Sequence, residues 1–171
     1  ARKLNIKAED YFKIIISKTA ALLSACTACG ARSVTDDAET ILLMKDFGEN
    51  IGIAFQIRDD LLDYEGTGLT GKTAGNDIKE KKITLPLIHA LEQSENSKRR
   101  HILSIVKNKK KTKSEINEVI SFVADYGGMD YAELKMNQYR DKALAILDTY
   151  PESEVKESLR EFVHYTTSRK K

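Results

Sequence analysis

A chain of 171 residues with 41% hydrophobic content is long enough for one domain with a packed core. Its 28 basic residues against 26 acidic ones leave a net charge of +2, which argues for neither nucleic acid nor an anionic membrane as partner. No stretch is expected to reach the roughly 18 apolar residues of a membrane span, and the N-terminus lacks a signal-peptide pattern, so a cytoplasmic protein with no transmembrane segment is expected.

With only two prolines and no alternating strand pattern, the chain is expected to be helical nearly throughout. Residues 9–31 read as a helix apolar almost all round and therefore buried. Cys26 and Cys29 fall inside it and read as small core residues, since neither a zinc set nor a strand-to-helix redox turn surrounds them. Thr35 and Asp36 should cap a second helix over about 36–64, after which Gly66, Gly68, Gly71 and Gly75 mark a loop. Further helices are expected over about 84–92 (with Pro86 in its first turn), 97–107, 114–126, 129–149 and 153–168. The basic run KNKKKTK, residues 107–113, reads as a solvated loop between two of them.

The loop segment GTGLTGKT, residues 66–73, fits the G-x-x-x-x-G-K-[ST] pattern of a phosphate-binding P-loop. That site requires a strand before the loop and a helix opening at its Lys-Thr. Here a helix precedes it, and Ala74-Gly75-Asn76 is not expected to open a helix, so a nucleoside triphosphate site is rejected.

The helix ahead of the loop carries GENIGIAFQIRDDLLDYEG. At about 100° per residue, Gly52, Gln56, Asp59, Asp60 and Asp63 share one narrow arc, while the wide remainder is largely apolar and Arg58 points away. Asp59 and Asp63 stand four apart near a helix C-terminus, where both mutual repulsion and the helix dipole disfavour them. Such a stripe is either a cation site or a solvated acidic edge. Carboxylates without His or Cys suit Mg²⁺, and Lys72, Asp77, Lys79, Lys81 and Lys82 downstream could fold back over it. Lys18, in the apolar first helix beside Thr19, either snorkels to the surface or meets a phosphate.

Three segments together resemble the trans-prenyl diphosphate synthases: KTA at 18–20, FQIRDDLLD at 55–63 and GKTAGNDIKEKKITLPLI at 71–88. The likeness runs to about residue 92, and the form of the loop is similar to the bacterial long-chain, octaprenyl type. The resemblance implies an all-α, isoprenoid-synthase-type helical bundle. It also implies Mg²⁺ held by Asp59, Asp60, Asp63 and Asp77, and a diphosphate met by Lys18, Lys72 and Lys82. Thr19 and Gln56 would line the site. The implied substrates are an allylic prenyl diphosphate and isopentenyl diphosphate, joined into a longer trans-polyprenyl diphosphate, in an enzyme expected to be a homodimer.

One feature of that family is missing from the sequence. No earlier DDxxD motif occurs, because Asp36-Asp37 continues as Ala-Glu-Thr and opens a helix. The expectation is therefore a single all-helical domain portion over 1–171, lacking the N-terminal half and inactive alone. A non-catalytic partner subunit and a terpene cyclase-like enzyme are the alternatives, disfavoured by the intact acids and lysines and by the Lys-Thr motif respectively.

Overall fold

The computed structural model describes residues 7–65 and 74–169. Nine α-helices are present among them: α1 (Ala8–Ile15), α2 (Ala21–Arg32), α3 (Ala38–Glu65), α4 (Asn76–Lys79), α5 (Leu85–Gln93), α6 (Asn96–Lys107), α7 (Lys113–Asp125), α8 (Gly128–Asp148) and α9 (Glu154–Ser168). No strand occurs among the described residues. By contacts the chain divides into two compact units, with α1, α3 and α8 each contributing to both.

The first unit holds residues up to Tyr11 together with 59–133. Its core is the aliphatic set Ile78, Leu85, Leu87, Ile88, Val106, Val119 and Val123, each under 2% exposed or at 2%. Helix α7 packs against α4, α5 and α6. Its start is fixed by a capping box: the Thr112 hydroxyl accepts from the Glu115 amide at 3.2 Å, and Glu115 accepts from the Thr112 amide at 2.7 Å. Residues 108–112 of the basic run form a loop, while Lys107 closes α6 and Lys113 opens α7.

The second unit holds residues 12–58 and 134–170. Phe47, Ile51, Ala143, Leu147 and Val163 form its core, joined by Leu23, Met44 and Leu159. Gly52 on α3 meets the preceding helical run at close range: a Cβ there would stand 2.5 Å from Ala20 Cα. Glycine is required at that crossing by space alone.

Several expectations are corrected. The first helical run is largely exposed, with Ile14 at 52% and Leu22 at 68%. All-round apolarity does not say which faces have a partner, and only one face, with Tyr11, Ile15, Ala20, Ser24 and Ala31, is covered. Cys26 and Cys29 are accordingly exposed free thiols, not core residues. By length and composition alone, Ala8–Arg32 is long and apolar enough to cross a membrane, a test that core helices also pass. The cap of α3 is Asp37, whose carboxylate accepts from the Thr40 amide at 2.9 Å, while Asp36 pairs with Arg32. A short helix does follow Ala74-Gly75, because an acid from elsewhere in the chain supplies its cap.

Candidate functional site

The last turns of α3 place the three motif aspartates in unequal surroundings. Asp59 is exposed, whereas Asp60 and Asp63 are only 4% and 6% exposed. For two of the three acids, the reading as a solvated edge is therefore ruled out. A buried carboxylate must find hydrogen-bond donors, and both have them.

Asp60 Oδ2 accepts from the Tyr11 hydroxyl at 2.6 Å. Tyr11 is itself 5% exposed. Its phenol pKa is pushed far above the ordinary value, first by burial, then by the Asp60 charge and the hydrogen bond between them. Tyr64 lies in the same unit, shares a 3.1 Å hydrogen bond with the Thr84 hydroxyl, and is likewise held neutral chiefly by burial.

Asp63 faces the start of α4. Its Oδ1 accepts from the Asn76 amide at 3.1 Å and its Oδ2 from the Asp77 amide at 3.0 Å. Its backbone carbonyl accepts from the Gly75 amide at 2.9 Å. The negative charge that the C-terminus of α3 disfavours is thus placed against the N–H groups of another helix. Gly75, at φ 82°, has no side chain with which to cap that helix.

From α4 the order passes to Lys82. Its amide donates to the Asp77 carbonyl at 2.8 Å. Its ammonium lies 3.0 Å from Asp77 Oδ1 and 2.7 Å from Glu80 Oε2. These contacts, that with Glu80 foremost, raise the Lys82 pKa, so the group is cationic at neutral pH.

The second unit carries the Lys-Thr motif on a π-helical turn, Ile16–Ala20, inserted between α1 and α2. Such turns add one residue per turn and commonly redirect side chains at functional sites. The Thr19 hydroxyl donates to Gln56 Oε1 at 2.8 Å, and Ala20 beside it is fully buried. Lys18 is exposed, as are Ile14, Leu22 and Ala25 near it, while Ile15 is buried, so the expected burial of this helix is corrected around Lys18. Arg58 Nε and Nη2 donate to the Arg169 carbonyl at 3.1 and 3.0 Å. The Arg169 guanidinium in turn lies 4.2 Å from the Phe55 ring centre.

Of the nine sequence-predicted site residues, Asp63, Asp77 and Lys82 are joined in one hydrogen-bonded series, and Thr19 pairs with Gln56. Lys72, with the rest of Gly66–Thr73, lies outside the described residues. Among the described residues no three His, Cys, Asp or Glu side chains converge to hold one ion. Sequence reasoning missed Tyr11, although Tyr11, Ile15 and Thr19 share a face at four-residue spacing.

The chain matches the Polyprenyl synthetase family model over residues 1–123. A geranylfarnesyl diphosphate synthase of Aeropyrum pernix is 34% identical over 170 residues, 98% of this chain and 52% of that protein. An octaprenyl diphosphate synthase of Escherichia coli is 30% identical over 166 residues, 96% of this chain and 51% of that protein. Among solved structures, a polyprenyl synthase from Caulobacter crescentus CB15, complexed with calcium and isoprenyl diphosphate, has a TM-score of 0.88 at 33% identity, covering 98% of this chain and 51% of its own. The likeness thus extends well past residue 92, and the chain spans about half the length of the curated relatives it matches.

Proposed function

Because the chain belongs to the polyprenyl synthetase family, we propose that its acidic turn and the short helix after it form a diphosphate-binding wall of a trans-prenyltransferase. The reaction proposed for the whole protein breaks the bond between an allylic carbon and its diphosphate. The allylic cation then adds to the double bond of isopentenyl diphosphate, and a proton is lost. The products are a longer trans-polyprenyl diphosphate and free diphosphate.

The observation that carries this reading is the burial of Asp60 and Asp63 in a built network with Asp59 exposed at its edge. Carboxylates are seldom buried unless paired or engaged in function. Asp59 and Asp60 fit Mg²⁺, which commonly takes one or two protein carboxylates and completes its shell with water and substrate phosphate. Asp63 and Asp77 complete the acidic lining as proposed. What such a cation supplies is neutralisation of the charge that gathers on the departing diphosphate.

The protein's own cations would share that task. Lys82 is held cationic beside Asp77, within reach of a ligand that approaches α4. Lys18 and Lys72 are assigned the same role on their motifs, and Thr19 and Gln56 are assigned to substrate positioning. A homodimer and a cytoplasmic location belong to the proposal too, and sedimentation and cell fractionation test them.

Titration calorimetry with farnesyl thiodiphosphate, with and without Mg²⁺, tests the central claim. Metal-dependent binding is expected, weakened by Asp59→Ala at least about tenfold, the worth of one charge-assisted contact. Metal-dependent binding unchanged by that substitution would reduce the acidic turn to ordinary surface.

A further inference from the structure

We infer that Asp63 acts as a latch, fixing the start of α4 and thereby the positions of Asp77 and Lys82, rather than as a ligand of the cation. The inference rests on the proposed function for what Asp77 and Lys82 are positioned to do.

Three hydrogen bonds run from Gly75, Asn76 and Asp77 back to this one residue, across 12 to 14 positions of sequence. They engage its carbonyl and both carboxylate oxygens. Each carboxylate bond takes an N–H that a helix start otherwise leaves without an intrahelical partner. Four residues of helix have no stability of their own, so α4 depends on such outside contacts. A residue that spends both oxygens on fixed amides is poorly placed to reorganise around a cation.

The other end of the latch is set by packing. A Cβ at Gly75 would overlap the Ile116 side chain of α7, and its φ of 82° suits glycine. Ile78 of α4 is fully buried. Past α4 the chain turns at Lys81, whose φ is 61°, and Lys82 returns to Asp77 through both its amide and its ammonium. Asp77 and Lys82 therefore take their place from α4, and α4 takes its place from Asp63 and α7. Asp63 is a positioning residue in this arrangement.

The test compares the wild-type chain with Asp63→Ala, Asp63→Asn and Asp59→Ala, first by amide hydrogen exchange and then by calorimetry with Mg²⁺ and inorganic pyrophosphate. Asp63→Ala is expected to speed exchange at Asn76 and Asp77 by about tenfold, as loss of a hydrogen bond does, and to weaken Mg²⁺-pyrophosphate binding several-fold. Asp63→Asn keeps one carbonyl acceptor and is expected to restore part of both, whereas Asp59→Ala leaves the two amides protected. Protected amides in Asp63→Ala, with metal-dependent binding abolished equally in the Ala and Asn variants, would overturn the latch and make Asp63 a ligand. Wild-type chain that binds no pyrophosphate while the exchange differences stand would sink the functional reading and leave the latch intact.

Discussion

The Tyr11 hydroxyl donates to Asp60 Oδ2 at 2.6 Å, tying α1 to the acidic turn of α3 across 49 positions of sequence. Both groups are buried, so neither exchanges this bond for water at low cost. Tyr11→Phe removes that donor from a buried carboxylate. The expected loss of stability is about 1.5–3 kcal/mol, the usual worth of a hydrogen bond to a charged group. The raised tyrosine pKa fixes the sign of the pH effect: the contribution is complete below the unfolded value and is lost only as pH rises through the folded one. Urea unfolding of wild type and Tyr11→Phe at pH 6 and 8 should therefore give the same difference. A difference that vanishes at pH 8 would refute this account of the pair.

Close approach, beside the Thr19–Gln56 hydrogen bond, holds the Lys-Thr motif to α3. A side chain at Gly52 would stand 2.5 Å from Ala20 Cα and 2.8 Å from its Cβ. Gly48, one turn earlier, is equally confined, with the Leu23 carbonyl oxygen 2.5 Å from where a Cβ would be. Gly52→Ala should cost about 1–3 kcal/mol by overpacking, although alanine is the better helix former. Thermal or urea unfolding measures it. A neutral or stabilising result would mean that the two helices can separate freely at this crossing.

How much of this is legible in the sequence depends on range. Helices α5 to α9 fall within a residue or two of their expected positions, because apolar spacing, Pro86, the basic loop and Gly127-Gly128 are local signals, whereas α4 is not expected from the sequence. The acidic stripe is legible for the same reason, since Asp59, Asp60 and Asp63 share one helix. The donors that bury two of those acids are not, because Tyr11 and Asn76 are brought to them only by tertiary packing. The π-helical turn at Ile16–Ala20 leaves no mark on apolar periodicity over so short a run. Burial of the first helical run is misjudged for a different reason: composition reports how apolar a face is, not whether anything covers it.

The capping box of α7 gives a pH signature independent of the site. The Glu115 pKa is lowered by hydrogen bonds from the Thr112 amide first and the Thr112 hydroxyl second. A lowered folded pKa means stability that is present above the unfolded value and lost as pH falls through the folded one. The chain's thermal midpoint should therefore fall on acidification below the ordinary carboxylate range. In Glu115→Gln, which keeps the acceptor but cannot titrate, part of that fall should disappear. Identical acid profiles for the two chains would remove the box from the account of acid stability.

The P-loop lookalike yields the last prediction. Helix α3 runs up to Glu65, so the segment 66–73 follows a helix and not the strand that a P-loop requires. A helix does open after the segment, at Asn76, and a helix start is where a nucleotide phosphate would bind. Here the Asn76 and Asp77 amides already donate to the Asp63 carboxylate. A phosphate would have to displace that buried anion or lie against it, and like charges in a low-dielectric setting repel strongly. The chain should therefore hydrolyse no ATP, and Thr73→Ala should leave Mg²⁺-pyrophosphate binding close to that of wild type, whereas Lys72→Ala should weaken it. Phosphate-release assays and calorimetry on the three chains decide the matter. ATP turnover that Thr73→Ala abolishes would mean that the segment works as a P-loop after all, with α4 released from Asp63 when nucleotide binds.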